Sequence, residues 1–300
     1  MIREKIVKSV LNKHKRRDAW FLDDYSVNPY EGCGFNCVYC YIRGSKYGEN
    51  LSEKLTVKSN AFEILDRQLF NRAKKGQYGI IALASATDPY MPIELKYERT
   101  KGFLEIILRH RFPVLVLTKS DLIIRDISLL KAIDERAILP TDLKNTLHRG
   151  VMISFSLSTA DEKIAAVFEP GAPAPIKRLE ALQVVKTEGF LSGINLMPVL
   201  PFISDTDEQL EDTIRMAKSY GADYIIAGGL TLFGNGPTDS KTLYFKLIQK
   251  YFPEQAERCR QLFDSSFSLP AAYQKQLEQR VKVFSKKHGI RNSIIGKAEI

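Results

Sequence analysis

A chain of 300 residues with 44% hydrophobic and 26% charged residues has the composition of an ordinary globular protein, which excludes the disordered and fibrous classes. No apolar run reaches the roughly 18–20 residues that a membrane-spanning helix needs, and the start of the chain lacks the apolar segment of a signal peptide. We therefore expect a cytoplasmic protein with no membrane partner. The net charge is +9.

The positive charge is concentrated at the amino terminus. Residues 1–18 contain seven Lys or Arg against Glu4 and Asp18, which accounts for +5 of the net charge. A basic surface attracts polyanions, so DNA or RNA is a candidate partner. A solvated basic face without a partner is the alternative.

Strand and helix patterns alternate along most of the chain. A first short strand is expected just before residue 33, and helical spacing behind an Asn60 cap predicts a helix over 60–75. Short apolar runs predict buried parallel strands, and the amphipathic segments between them predict helices. The further strands are predicted at 78–86, 112–120, 150–159, 191–201 and 222–233, and the further helices at 98–111, 122–137, 175–190 and 206–221.

Repeated strand–helix alternation with right-handed crossovers predicts an α/β fold with a parallel sheet. The pattern contains about six βα units, three-quarters of a full eight-unit barrel, so we expect a partial (β/α)6 TIM-type barrel. From about Ser240 onward the pattern becomes helical and aromatic-rich, which indicates a helical C-terminal appendage. The predicted division is a basic N-terminal extension (1–27), the partial barrel (28–239) and the appendage (240–300).

Three of the four cysteines lie within eight residues, at Cys33, Cys37 and Cys40. A disulfide would leave one of these thiols over, and structural zinc normally takes four protein ligands, whereas all four histidines are distant in sequence. An inert core cysteine would be isolated. Thiolates also hold iron–sulfur clusters, and three of them on one loop can bind three irons of a 4Fe–4S cube and leave the fourth iron open.

The spacing C-x3-C-x2-C resembles the signature of the radical S-adenosylmethionine (SAM) enzymes. Five motifs are similar, in the same order, to the spore photoproduct lyase-like branch of that superfamily: NPYEGCGFNCVYCY, ATDPYMPIE, LTKSDLIIRD, FEP and MPVLPFISD, between residues 28 and 205. The resemblance implies a 4Fe–4S cluster on Cys33, Cys37 and Cys40, SAM as the ligand of the open iron, and an external electron donor. In that superfamily the reduced cluster cleaves SAM to a 5′-deoxyadenosyl radical, which abstracts hydrogen.

The resemblance also suggests SAM-binding residues, because ligands of such folds lie at the carboxyl ends of the strands. Tyr39, beside the last cysteine, would shield adenine and cluster from water. Thr87 and Asp88 occupy the place of the turn that holds the SAM amino group, although the usual Gly-Gly-Glu is absent. Lys119 matches a lysine expected to contact the SAM carboxylate or ribose. The alternatives are a turn capped by Asp88 and a solvent-facing lysine.

Other polar residues follow the later strands. Ser154, Ser156 and Ser158 alternate with apolar residues, so their hydroxyls share one face of the strand. Ser156 is the first candidate for the ribose, and small core-packing serines are the alternative. Glu169 and Arg178 could orient the cofactor carboxylate, since Arg binds carboxylates bidentately, or they could form an internal salt bridge. Two further residues are candidates for contacts with adenine or for plain packing: Met197 and Pro198.

The chain departs from the lyases at one important place. They keep a cysteine shortly before the strand-end Asp, and that cysteine returns a hydrogen atom to the repaired thymine; here the sequence has Ala84 and Ser85. An O–H bond is far stronger than an S–H bond, so Ser85 cannot replace this donor. Cys259 would reach the site only if its helix folded over the barrel mouth; a buried structural thiol is the default. Three tyrosines could relay hydrogen or could be packing residues: Tyr41, Tyr90 and Tyr97.

Three functional hypotheses follow. The first is a spore photoproduct lyase-like radical SAM enzyme that acts on nucleic acid, with a base entering the barrel mouth. The second places the same chemistry on a peptide or small metabolite. The third is a non-catalytic iron–sulfur or zinc protein that senses redox state or carries electrons. Three cysteines that leave a metal coordinatively open on a large scaffold favour catalysis.

Overall fold

The computed structural model describes residues 2–45, 55–264 and 266–296, which contain ten strands and ten α-helices. The strands are β1 (Arg3–Lys5), β2 (Asn12–Lys13), β3 (Tyr25–Val27), β4 (Tyr30–Glu31), β5 (Thr56–Lys58), β6 (Ile81–Leu83), β7 (Val114–Thr118), β8 (Val151–Leu157), β9 (Leu191–Val199) and β10 (Tyr224–Gly229). The helices are α1 (Ala61–Lys74), α2 (Glu94–Tyr97), α3 (Arg99–His110), α4 (Ile127–Arg136), α5 (Glu162–Phe168), α6 (Pro175–Thr187), α7 (Asp207–Ser219), α8 (Ser240–Tyr251), α9 (Ala256–Gln261) and α10 (Ala271–Lys287).

A seven-stranded sheet forms the centre of the described fold, in the order β10-β9-β8-β7-β6-β3-β2. Its six strands from β10 to β3 pair in parallel, and β2 adds to the edge in antiparallel orientation. This confirms the predicted α/β class and the partial TIM-type barrel. The other three strands form a separate sheet in the order β1-β5-β4.

The two faces of the sheet pack in different ways. Along β8, Val151, Ile153 and Phe155 belong to the large core between sheet and helices, while Met152 points to the opposite, interior face. There Met152 packs in a second buried cluster with Leu22 and with residues near the amino ends of neighbouring strands. The N-terminal segment that carries Leu22 therefore packs at the amino end of the barrel interior.

The C-terminal region is helical, as predicted. Helix α10 packs against β10 and α7, and α8 packs against α5 and α9. The division of the chain into domains stays a prediction; residues 25–27, assigned from the sequence to the extension, form β3. Among the described residues, no helix is long and apolar enough to cross a bilayer.

Two local predictions are wrong. Asn60 precedes α1, but its side chain makes no capping bond; it accepts from the Val7 amide at 2.9 Å and donates to the Val7 carbonyl at 3.0 Å. A pairing across the chain therefore replaces the local cap. The helix predicted from residue 122 begins as a 3-10 turn over Asp121–Asp126, and the α-helix starts at Ile127.

Candidate functional site

A cavity of about 540 Å³ opens where the cysteine loop meets the carboxyl ends of the strands. All three clustered cysteines line it, together with most of the other side chains that the sequence singled out: Tyr39, Tyr41, Ser85, Thr87, Asp88, Lys119, Ser156, Met197 and Pro198. Several sequence candidates are absent from the described lining: Ser154, Ser158, Glu169, Arg178, Tyr90, Tyr97 and Cys259.

The cysteine loop, residues 32–45, is fixed by close backbone contacts. The Val38 amide donates to the Phe168 carbonyl at 2.9 Å, and the Gly171 amide donates to the Phe35 carbonyl at 3.0 Å. A Cβ atom at Gly171 would lie 2.6 Å from the Gly34 oxygen, so this approach requires glycine. The buried Arg43 guanidinium donates to the Cys37 carbonyl at 3.1 Å. The loop is thus held in place from both sides.

The thiols lie in a buried environment with charged neighbours. Burial raises the pKa of Cys33 to about 12, and the nearby Asp88 carboxylate adds to this shift. Burial also raises the pKa of Cys37, while the Lys119 charge opposes the increase. Among the described residues, no three His, Cys, Asp or Glu side chains are arranged to hold a single metal ion. The fit to an iron–sulfur cluster therefore rests on three separate thiols on one short loop, each able to bind its own iron.

Tyr39 is connected to a buried ion pair behind the cavity wall. Its hydroxyl donates to Glu169, which also accepts from Ser158 at 2.9 Å and from Arg178. Arg178 further donates to the Ser156 carbonyl at 2.8 Å. Burial alone would raise the pKa of Glu169. The positive charges of Arg178 and Lys119 outweigh this effect, so the pKa of Glu169 is lowered.

The position of Arg178 corrects its suggested role. The guanidinium lies in the internal salt bridge that the sequence left open as an alternative, and it does not line the cavity. The Arg178 guanidinium is therefore not placed to contact a cofactor carboxylate. Arg178 and Glu169 instead hold the Tyr39 hydroxyl.

The turn after β6 is internally bonded. Thr87 Oγ1 donates to the Gly32 carbonyl at 2.6 Å, which connects this turn to the cysteine loop. The Asp88 carboxylate accepts from the Thr118 hydroxyl at 2.8 Å, the Lys119 amide at 2.7 Å and the Tyr90 amide at 2.9 Å. The capped turn that was the alternative for Asp88 is present, although both Thr87 and Asp88 still line the cavity.

Lys119, Ser156 and Asn195 form a polar row across three neighbouring strands. Ser156 pairs in register with Asn195, and the register of β7 on β8 places Lys119 opposite Ser156. Asn195 is 3% exposed and its Oδ1 has no hydrogen-bond partner. Within the described residues, no hydrogen bond engages the Lys119 ammonium or the Ser156 hydroxyl. Buried polar atoms are nearly always satisfied, so this row is suited to a ligand.

Asn195 was not predicted as a site residue. The only feature of the sequence that could have indicated it is a single amide between the apolar Ile194 and Leu196, on a strand whose side chains point alternately to opposite faces. Phe21 and Asp23 also line the cavity, from the N-terminal segment, and were missed as well.

The remaining thiol lies away from the cavity. Cys259 is buried, its sulfur lies 3.5 Å from the Pro201 carbonyl oxygen, and burial raises its pKa to about 11. Of the described residues that line the cavity, only those of the cysteine loop carry thiols. Ser85 lines it, and the Tyr41 hydroxyl donates to the Ser85 carbonyl at 2.5 Å.

The comparisons with known proteins identify the family. The model of the radical SAM superfamily matches residues 27–217. The chain belongs to this superfamily. It is an enzyme of the radical SAM class, a class that uses an iron–sulfur cluster and SAM.

Two relatives of this radical SAM enzyme show how far its sequence similarity extends. An uncharacterized protein of Mycobacterium tuberculosis is 27% identical over 284 residues, covering 93% of this chain and 78% of the relative. A protein of Pseudomonas phage M6 named radical SAM Nalpha-GlyT isomerase is 21% identical over 244 residues, covering 81% of this chain and 46% of the phage protein.

Solved structures share its fold. A spore photoproduct lyase variant with bound AdoMet and dinucleoside spore photoproduct aligns with a TM-score of 0.64 at 15% identity, covering 96% of this chain and 79% of that chain. Streptococcus suis SuiB, bound to its precursor peptide SuiA, aligns with a TM-score of 0.52 at 13% identity, covering 90% of this chain and 47% of that chain.

Proposed function

We propose that this radical SAM enzyme binds a 4Fe–4S cluster through Cys33, Cys37 and Cys40, binds SAM in the adjoining cavity and acts on nucleic acid. The observation that carries the proposal is the opening of all three thiols onto the same cavity as the unpartnered row Lys119, Ser156 and Asn195. When bound and reduced, the cluster and SAM supply a 5′-deoxyadenosyl radical for hydrogen abstraction.

The protein's own residues bind and orient the cofactor. The Lys119 ammonium suits a carboxylate, and the Ser156 hydroxyl and Asn195 carbonyl suit ribose hydroxyls. Tyr39, held by Glu169, covers one wall and excludes water. Thr87 and Asp88 are the candidates, from the resemblance, for holding the SAM amino group; because Asp88 already accepts three hydrogen bonds, it would contribute mainly its negative charge.

Nucleic acid is the substrate class best supported. The basic amino-terminal segment favours a polyanion, and a spore photoproduct lyase structure of the same fold holds a dinucleoside spore photoproduct. A peptide or small metabolite is the alternative substrate class. With Ser85 in place of the returning cysteine, the reaction would also differ from the lyase reaction in its hydrogen donor.

The test of the radical chemistry is product formation. The protein is reconstituted with iron and sulfide without oxygen, reduced, incubated with SAM and assayed for 5′-deoxyadenosine by mass spectrometry. We expect product from the wild type and from Cys259→Ala, whose thiol lies outside the cavity, and none from Cys37→Ala. Oligonucleotides that raise the rate would support the substrate class.

Other outcomes are equally informative. A stable cluster without SAM cleavage would favour the electron-transfer hypothesis, and bound zinc without iron would point to a structural site. Product formation that a peptide stimulates and oligonucleotides do not would support the second substrate class.

A further inference from the structure

Residues 13–23 connect a basic surface to the cavity. Lys13, Lys15 and Arg16 are exposed and, within the described part of the chain, form no side-chain ion pair or hydrogen bond. Arg17 is different, because it pairs with Asp24 at 3.1 Å and with Asp142. Arg17 therefore anchors the segment, and the three other cations are available to a partner.

The following turn presents aromatic rings in two directions. Asp18 Oδ1 accepts from the amides of Trp20 and Phe21, both at 2.8 Å. Trp20 is 43% exposed, whereas Phe21 lines the cavity and Leu22 is buried in the interior cluster. A fixed turn that exposes an indole is already organised for binding, which lowers the entropy lost when a partner docks.

Asp23 places a carboxylate on the cavity wall. It is 4% exposed, and its Oδ2 lies 3.1 Å from Nδ1 of His14. The other nitrogen of the His14 ring lies 3.2 Å from the Ser26 hydroxyl, which fixes the ring. A carboxylate held in this way repels phosphate and accepts hydrogen bonds from N–H groups.

We propose that residues 13–23 are the recognition element for a single-stranded nucleic acid: Lys13, Lys15 and Arg16 contact phosphates, Trp20 stacks on a base, and Asp23 accepts a hydrogen bond from an N–H of the base that enters the cavity. This inference rests on the proposed substrate class. The three kinds of side chain suit three parts of a nucleic-acid strand. Cations bind the phosphates, an exposed indole stacks on the face of a base, and an inward carboxylate accepts a hydrogen bond from the edge of a base. A bare anionic surface would offer Asp23 no N–H donor beyond His14.

Trp20 provides a direct readout because the chain contains one tryptophan. The reconstituted enzyme, with S-adenosylhomocysteine present, is titrated with single strands of about ten nucleotides, within the usual footprint of a single-strand groove. The probes are DNA, RNA and an abasic DNA strand of equal length, and binding is followed by anisotropy of a label and by Trp20 fluorescence. Base-containing strands should quench Trp20; the abasic strand should bind more weakly and leave its fluorescence unchanged.

Variants separate the three contacts. The double variant Lys15→Ala/Arg16→Ala should bind base-containing and abasic strands more weakly. The slope of log K against log salt should fall by about 1.4, since each phosphate contact on a single strand contributes about 0.7. Asp23→Asn keeps the size of the side chain and should reduce the preference for base-containing over abasic DNA about 5–10-fold, the value of one hydrogen bond. Iron content and the thermal midpoint verify that each variant is folded and loaded.

The opposite results would overturn the inference. If strands bind but Trp20 fluorescence does not respond, or if Asp23→Asn keeps the full base preference, this recognition element is wrong while the nucleic-acid substrate class stands. If no strand binds even at low salt, both fall, and 5′-deoxyadenosine formation remains a separate question. A Trp20 response to phosphatidylserine vesicles but to no strand would assign the segment to a lipid surface.

Discussion

Arg178 and Glu169 form a buried ion pair directly behind Tyr39, and each of the two side chains is only 1% exposed. The remaining donors of Arg178 are used by backbone carbonyls of Ser156 and Pro173. The pair thus connects strand β8, helix α6 and the cysteine loop. Its position makes it part of the support of the site and not of the cavity surface.

Loss of one partner of this pair should be strongly destabilising. Arg178→Met leaves the Glu169 charge buried without its cation, which typically costs about 3–5 kcal/mol. The double variant Arg178→Met/Glu169→Leu should recover part of that loss. Urea unfolding measures both, and Lys177→Ala, which breaks an exposed pair with Glu180 on the same helix, should leave the unfolding free energy unchanged. A single variant as stable as the control would contradict the account.

Asn195→Leu should separate stability from ligand binding. Because Oδ1 has no partner, a leucine of similar size should leave the free energy of unfolding unchanged or higher. Affinity for S-adenosylhomocysteine, measured calorimetrically on the reconstituted enzyme, should fall about tenfold, the equivalent of one hydrogen bond. Ser192→Ala is the matched control, since that hydroxyl is also buried and unpartnered but does not line the cavity. Equal affinity of the Asn195 variant and the wild type would remove Asn195 from the ligand site.

Gly171→Ala should displace the cysteine loop. The new methyl group would lie 2.6 Å from the Gly34 oxygen, and relieving such overpacking typically costs about 1–3 kcal/mol. We expect less iron per chain after reconstitution as well as a lower thermal midpoint. Gly296→Ala, with no atom within 4 Å of its added methyl, should behave as the wild type. Full iron loading of the Gly171 variant would show that the loop does not depend on this contact.

Asp23 should make stability depend on pH. Burial raises its pKa to about 6; the charge of His14 opposes the shift, and Asp18 and Asp24 reinforce it. Since the folded-state pKa exceeds the unfolded value of about 4, the contribution of Asp23 to stability is complete below about pH 4 and is lost as the pH rises through 6. Relative to Asp23→Asn, the wild type should therefore lose stability over this range.

Chemical denaturation across this range tests the sign. Asp66 is a control for which stability should change with pH in the opposite direction, because its hydrogen bond with His110 lowers its pKa. Relative to Asp66→Asn, the wild type should lose stability as the pH falls. A flat difference between wild type and Asp23→Asn would show that Asp23 is not perturbed in the folded protein.

The sequence predicted the parts of the molecule that depend on local pattern. Apolar runs located five of the six parallel strands, and the spacing of Cys33, Cys37 and Cys40 located the loop that lines the cavity. Lys119 and Ser156 were chosen as candidates because ligands of such folds lie at the carboxyl ends of the strands.

The features that local sequence patterns did not decide depend on contacts between distant segments. Arg178 is drawn into an internal pair by the packing of α6 on β8, which no local pattern encodes. Asp23 lines the cavity from the N-terminal segment, whose neighbouring Leu22 packs in the interior cluster with residues distant in sequence. Asn60 pairs with Val7, 53 positions away, and therefore does not cap its own helix.

The most direct test of the central claim is whether SAM binds the open iron. The reduced, reconstituted enzyme is examined by electron paramagnetic resonance with and without SAM, and with Lys119→Met in parallel. We predict the signal of a reduced 4Fe–4S cluster whose g-values shift when SAM is added, with a higher SAM concentration needed for the variant. A cluster signal that SAM leaves unchanged at saturating concentration would contradict the assignment.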